Sequence, residues 1–265
     1  MLNQYQLTNL QFFKLLKYAK IKKIDFLCSP FDLASIDLLS SLNIKTFKIP
    51  SGEITNYPYL RYLGKKNKKV ILSTGMSNIS EIKQALTLLT KSGTSKKNIT
   101  LLHCTSDYPA NFKELNLNAI QALKEKFKLN IGYSDHSKGF EASCAAVALG
   151  ASVIEKHITT NNNLPGPDHK ASLNYKNFEL FVNKIRNVEL SLGKKSKFAS
   201  ASEKINLKYV RKSIVAKKNI KKGEIFSEKN LDTKRPGTGL SPMKWKQILG
   251  KKAKNNFNKD ELITL

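Results

Sequence analysis

Between residues 24 and 160 the chain alternates short apolar runs with longer amphipathic segments, and that alternation leaves few folds open. A short apolar run bounded by turn residues reads as a strand buried on both faces, and such strands lie parallel when helices return the chain between them. The runs are IDFLCSPF (24–31), TFKIPSGE (46–53), KVILSTGM (69–76), NITLLHCTS (98–106), LNIGYSDH (129–136) and ASVIEKHIT (151–159). Each starts apolar and finishes polar. After STGM, Asn78 and Glu81 have the spacing of a capping box. Ile79, Ile82, Leu86 and Leu89 then share one helical face, and Gly93 is placed to end the helix in a left-handed conformation. LNAIQALKEKF and GFEASCAAVALG show similar periodicity, the second with small residues suited to close packing on a sheet.

Repeated β/α units predict an α/β fold, a (β/α)₈ TIM-type barrel, in which polar groups gather at the C-terminal ends of the strands. Beyond Gly193 the character changes. KKSKFASASEKIN is small, polar and charged, as in a linker, and is followed by short β-like runs broken by Lys-Lys-Gly and Pro-Gly. The expected organisation is a barrel domain over 1–195, a linker over 196–206 and a small β-rich domain over 207–265.

Composition narrows the function classes. Apolar residues make up 40% of the chain, as in a globular protein. No apolar stretch is long enough to span a bilayer, and MLNQYQLTNLQFFKLLKYAK lacks the features of a signal peptide, so the expectation is a soluble, cytoplasmic protein without membrane partners. Cys28, Cys104 and Cys144 stand far apart in apolar contexts and read as free thiols. Lys and Arg number 46 against 20 Asp and Glu, a net charge of +26. Clustered cations bind nucleic acid by releasing counterions. Here, however, the lysines are spread over every segment and the only arginines are Arg61, Arg186, Arg211 and Arg235. A solvated basic surface is the simpler reading, with no nucleic-acid partner.

Chemistry is concentrated at the strand ends. His136 and His157 close the fifth and sixth runs, and a barrel would bring their imidazoles together. Two imidazoles with carboxylate and water oxygens suit a divalent ion such as Mn²⁺, with Asp135 and Asp168 close enough in sequence to support the ligands or touch substrate. KIPSGE presents Lys48, Ser51, Gly52 and Glu53. LSTGM adds Ser73, Thr74 and Gly75, and HCTSDYP adds Ser106 and Tyr108. Hydroxyls, loop amides and a lysine at adjacent strand ends suit a phosphorylated carboxylic acid.

Taken together, KIPSGE, LSTGM, LLHCTSDYPA, IGYSDHSKGFEASCAAVALGASVIEKHIT, PGPDHKAS and KRPGTG resemble the sialic acid synthase family, from about residue 5 to the end of the chain. The resemblance implies condensation of phosphoenolpyruvate with an N-acetylated amino sugar, N-acetylmannosamine, and water to give a nonulosonic acid and phosphate. It also implies a C-terminal antifreeze-like (SAF) domain and dependence on a divalent metal, Mn²⁺ or Mg²⁺. His136 and His157 would be metal ligands. Lys48, Ser51, Ser134 and Ser29 would contact phosphoenolpyruvate, with Ser73 and Ser106 in the same pocket. Glu53, Tyr108 and Asp168 would face the sugar, and Glu53 and Lys48 would serve the reaction. Arg235 would reach the sugar's acyl group with Tyr209 packed nearby, across a domain-swapped homodimer.

Two alternatives stay open. IGYSDHS and PGPDHKAS are similar to segments of N,N'-diacetyllegionaminate synthases, which act on a 6-deoxy diacetamido hexose. The other is an inactive fragment retaining only sugar binding, with the C-terminal module as a binding domain, since antifreeze-like folds also occur where carbohydrate or ice is the ligand. A barrel takes eight strands, and the first segment read here resembles the family's second barrel helix. The expectation is therefore a barrel shortened at its front, poorly soluble and nearly inactive as an isolated chain.

Overall fold

The structure is a computed structural model describing residues 7–265; residues 1–6, part of the stretch read above for a signal peptide, lie outside the described residues. The chain divides into two compact units, Met1–Gly193 and Lys194–Leu265.

Five of the apolar runs form one sheet: β1 (Thr46–Ile49), β2 (Lys69–Ser73), β3 (Ile99–Cys104), β4 (Asn130–Asp135) and β5 (Ile154–Lys156). They pair in chain order and every pair is parallel. Helices α1 (Asn9–Ile21) and α2 (Leu33–Ser41) precede this sheet, and α3 (Tyr57–Lys65), α4 (Ile79–Ser92), α5 (Ala119–Phe127) and α6 (Glu141–Ala148) connect its strands. In-order parallel strands with a helix in each connection are the winding of a TIM-type barrel, here a half-barrel sheet. Its core joins Phe47, Ile49, Leu72, Leu101 and Ile131 to the inner faces of the helices, including Leu60, Leu63, Leu89 and Ile120.

Local chemistry explains the elements. Asn78 and Glu81 form the expected capping box, and Ile82, Leu86 and Leu89 are buried. Ile79, in the first turn of α4, is 42% exposed. Gly93 follows at φ 129°, a conformation that glycine adopts without steric cost. Gly132 in β4 is required by close approach: a Cβ there would lie 2.5 Å from Leu102 Cδ2 and 2.5 Å from the Val153 carbonyl oxygen.

The structure corrects the strand expected at 24–31. That segment makes a single parallel bridge, Cys28 to Phe47, with the Lys48 amide donating to the Cys28 carbonyl at 3.3 Å. Ile24 and Leu27 are 68% and 43% exposed, so the apolar pattern is not matched by burial. In the same region α1 buries none of its residues, with Leu10, Phe13, Tyr18 and Ile21 at least half exposed.

The run 151–159 divides. β5 ends at Lys156, and β6 (Ile158–Thr159) pairs in parallel with β7 (Leu173–Asn174), an element too short to be seen in the sequence. His157 stands between the two sheets, its carbonyl accepting the Leu173 amide at 2.9 Å. Helix α7 (Tyr175–Leu192) begins on the Asn174 cap and packs Phe181 and Ile185 against Val147 and Leu173.

In the second unit, α8 (Ala201–Val210) begins within the stretch read as a linker, started by a capping box between Ser200 and Glu203. β8 (Ser213–Ala216) and β9 (Leu231–Lys234) are antiparallel, and the short α9 (Trp245–Ile248) packs on a core of Ile214, Ile220, Phe226, Leu231 and Phe257. Among the described residues no helix is long and apolar enough to cross a membrane.

Candidate active site

Side chains alternate across a strand, so Ser134 and His136 leave β4 toward one side of the sheet, and Glu155 and His157 leave β5 toward the same side. The register pairs Ser134 with Glu155. The Ser134 hydroxyl donates to Glu155 Oε1 at 2.6 Å, and Lys48 Nζ lies 3.4 Å from the same oxygen. Lys48 comes from the C-terminal half of β1, and its side chain is only 9% exposed. A lysine, a carboxylate and a serine from three strands thus form one polar chain at the strand ends.

The two imidazoles lie above it with centroids 5.5 Å apart and planes at 80°. His136 Nδ1 is 2.7 Å from the Thr105 carbonyl oxygen. A carbonyl only accepts, so Nδ1 carries the proton and Nε2 keeps its lone pair. Nε2 faces Ser134 Oγ at 3.3 Å, but that hydroxyl gives its proton to Glu155. The chain therefore leaves the Nε2 lone pair available to a ligand. Burial pushes the His136 pKa down, which keeps the ring neutral as ligation requires. His157 Nδ1 lies 3.7 Å from Asp168 Oδ2, at the edge of ion-pair distance.

Tyr108 packs its ring 4.2 Å from that of His136 and 5.7 Å from that of His157, while staying half exposed. Across the mouth, the Ser51 hydroxyl accepts the Gly75 amide at 3.0 Å and lies 3.3 Å from Cys104 Sγ. Gly75 sits in this crowding, where an added Cβ would lie 2.2 Å from Ser106 Oγ and 2.9 Å from Ser51 Oγ and would push both hydroxyls aside. At Gly52 an added Cβ would meet nothing within 4 Å. The Ser73 hydroxyl, at the end of β2, is buried with no hydrogen-bond partner among the described residues. A buried donor left unmade costs about 1–3 kcal/mol, so a ligand oxygen that met it would be favoured.

The structure thus brings together Lys48, Ser134, His136, His157, Tyr108 and Asp168, and beside them Ser51, Gly75 and Ser106. Of the remaining expected residues, two lie in the first unit and two in the second. Glu53 sits in the 3₁₀ turn after β1, where its carboxylate accepts from Asn56 Nδ2 at 2.6 Å. Ser29 is half buried beyond the Cys28 bridge. Tyr209 and Arg235 belong to the second unit, Tyr209 being 69% exposed and Arg235 donating from Nε to the Val210 carbonyl at 3.0 Å.

One expectation is corrected and one residue was overlooked. Asp135 does not bond to either imidazole; alternation turns it to the opposite face, where it is buried against Lys156, Ser137 and Ser143. Glu155, which the sequence reading left out of the site, is its central acceptor. The signal was present: Glu155 precedes His157 by the same interval at which Ser134 precedes His136.

As to a metal, no cluster of three His, Cys, Asp or Glu side chains converges on one point among the described residues. The donor set is two imidazoles, and the Thr105 carbonyl at Nδ1 leaves the lone pair of His136 on Nε2. That set fits an ion whose remaining positions go to water and substrate oxygens.

A half-barrel of parallel strands carrying cation, hydroxyl and imidazole groups at its C-terminal edge defines a barrel-type protein with a site for small anionic or polyhydroxylated molecules. The chain belongs to the NeuB family, whose profile matches residues 1–197, and a SAF domain follows over residues 211–265. It is 57% identical over 250 residues to an N,N'-diacetyllegionaminic acid synthase of Campylobacter jejuni, covering 94% of this chain and 75% of that protein. It is 40% identical over 260 residues to the protein of the same name from Legionella pneumophila, covering 97% and 73% of the two chains. Among solved structures it resembles an N-acetylneuraminic acid (sialic acid) synthetase of Leptospira borgpetersenii in complex with citrate. The TM-score is 0.71 at 36% identity, over 76% of this chain and 70% of that one.

Proposed function

We propose that this chain takes part in nonulosonic acid synthesis, condensing phosphoenolpyruvate with an N-acetylated amino sugar and water to give the nine-carbon acid and phosphate. The observation that carries the reading is the buried Lys48 at the strand ends, held beside Ser134 and the unused His136 lone pair. Its support from outside the chain is membership of the NeuB family.

In this reading Lys48, Ser134, Ser51 and the partnerless Ser73 hydroxyl bind the carboxylate and phosphate of phosphoenolpyruvate. Glu155 is the internal counter-ion that an incoming anion displaces from Lys48. Preset donors of this kind stabilise developing charge without reorganising during reaction. His136 and His157 would hold a divalent ion, which when bound would supply Lewis acidity to the sugar's aldehyde. Imidazole donors favour Mn²⁺ over Mg²⁺, which prefers oxygens. Tyr108 and Asp168 border the sugar, and Tyr108 also shields the histidine rings from water. The C3–C1 bond forms as phosphoenolpyruvate attacks the aldehyde, water adds at C2, and phosphate leaves with the C2–O bond. Glu53, Ser29, Ser106, Tyr209 and Arg235 join the site on the family resemblance, the last two from a partner subunit of a domain-swapped dimer.

The sugar is argued from likeness. The relatives at 57% and 40% identity carry the name N,N'-diacetyllegionaminic acid synthase, which favours a 6-deoxy diacetamido hexose over N-acetylmannosamine. The test is to incubate the chain with phosphoenolpyruvate, Mn²⁺ and each sugar, detecting the acid by mass. A nine-carbon acid from either sugar, even at slow turnover, supports the condensation, and the preferred sugar identifies the substrate. Absence of any acid, together with absence of phosphoenolpyruvate binding, would overturn it.

A further inference from the structure

We infer that the buried ion pair between Asp135 and Lys156 is a positioning device, setting the strand register that holds the imidazoles of His136 and His157 side by side. The inference rests on the reading of those histidines as holders of a divalent ion.

Asp135 and Lys156 are register partners in β4 and β5, and each immediately precedes one of the histidines. Alternation sends them to the face opposite the imidazoles. There Lys156 Nζ lies 3.0 Å from Asp135 Oδ2, with side-chain exposures of 2% and 0%. Asp135 Oδ1 accepts the Ser137 amide at 2.9 Å and the Ser137 hydroxyl at 2.6 Å, and Oδ2 accepts the Ser143 hydroxyl. Lys156 also donates to the Ser137 carbonyl. One dry cluster therefore ties together β4, β5, the turn immediately after His136 and helix α6.

An ion pair this deep is a poor source of stability, because desolvating two charges offsets most of their attraction. Its distinctive property is intolerance of misalignment. A slip of one residue would turn Lys156 to the other face, leave the buried Asp135 carboxylate without its cation, and carry His157 away from His136. Beyond its backbone ladder to β4, β5 has only Ile154 as an apolar side chain over its 3 residues, so apolar packing by itself does little to choose the register. On the imidazole side, the Ser134 to Glu155 bond holds the same register one rung earlier. The two imidazoles are thus the visible end of a register fixed from behind.

The experiment uses the full chain, whose 4 histidines make ring-proton NOE spectroscopy tractable. The variants are Ser143→Ala, which removes one donor to Asp135, and the double change Asp135→Leu with Lys156→Met. A hydrophobic pair of similar volume often preserves folding where a single change would strand a buried charge. The wild type is expected to show a cross-peak between the His136 and His157 rings. In the folded double variant the cross-peak should vanish and Mn²⁺ affinity should fall about 10- to 100-fold, the usual effect of losing a group that orients metal ligands. In Ser143→Ala the same changes should appear in weaker form. A folded double variant that keeps both the cross-peak and wild-type Mn²⁺ affinity would reduce the pair to a structural contact and overturn the inference. If the double variant does not fold, an unchanged cross-peak and affinity in Ser143→Ala overturns it equally. Should the wild type show the cross-peak yet bind no Mn²⁺, the ion reading fails, and the cross-peak of the variants still decides the positioning role.

Discussion

Lys48 Nζ stands 3.4 Å from Glu155 Oε1, in a contact where the lysine side chain is 9% exposed and the glutamate 37%. The pair spans β1 and β5, the two outer strands of the five-stranded sheet, so its geometry depends on the curvature of all five. The proposed function requires that a substrate anion replace the half-exposed carboxylate as the partner of this cation.

Replacing Lys48 by Met should therefore raise the KM for phosphoenolpyruvate at least tenfold while moving stability little. The Glu155 side chain is 37% exposed and keeps its bond from Ser134, so losing the lysine leaves no dry, unpartnered charge behind. Steady-state kinetics alongside a thermal melt checks this. A large fall in melting temperature with unchanged KM would make Lys48 a structural residue.

Tyr108 should divide into two functions. Its ring lies against His136, an aromatic contact worth about 0.5–1.5 kcal/mol, whereas half of the residue is exposed. Tyr108→Phe should keep Mn²⁺ affinity and raise only the KM for the sugar. Tyr108→Ala should weaken both, by roughly tenfold or more for the metal. Equal effects from the two variants would contradict the division.

At Gly75 a methyl group would collide with Ser106 and Ser51. Gly75→Ala should displace the Ser51 hydroxyl from the Gly75 amide and cost about 1–3 kcal/mol of stability, typical of overpacking. Phosphoenolpyruvate affinity should fall with it, and calorimetric titration beside urea unfolding measures both. Gly52→Ala is the control, since a methyl there meets open space.

Stability should decline in acid through His103. Its Nε2 donates to the Leu115 carbonyl at 2.7 Å, its ring stacks on Tyr133, and burial pushes its pKa down. The unfolded chain takes up a proton near pH 6.5 that the fold still refuses. Folding stability is therefore level above that pH and falls as pH drops below it toward the lower folded value. Urea unfolding at intervals from pH 8 to 5 should show that decline, and His103→Gln should reduce it, leaving the part contributed by His136, whose pKa burial also lowers.

Much of this arrangement was legible beforehand because parallel strands announce themselves as apolar runs and the barrel rule places polar residues at their ends. β1 to β5, α4 with its caps and the meeting of His136 with His157 all follow from that rule. The segment 24–31 did not behave as a strand because an apolar run needs apolar neighbours on both sides, and sequence cannot count them. β7 was invisible because two residues carry no period. Helix α8 was readable from Ser200 and Glu203, and a polar composition hid it. Glu155 and Asp135 were matters of parity: alternate residues face alternate ways, so the first joins the histidines and the second turns its back on them.

The most direct measurement is the rate of phosphate release from phosphoenolpyruvate with sugar and Mn²⁺ present, followed before and after chelation, in the wild type and in His136→Ala. The account predicts sugar-dependent release that chelation abolishes, returns with added Mn²⁺, and is absent from His136→Ala under every condition. Sugar-dependent release at the same rate with chelator and in His136→Ala would contradict it, because the paired imidazoles would then have no part in the reaction.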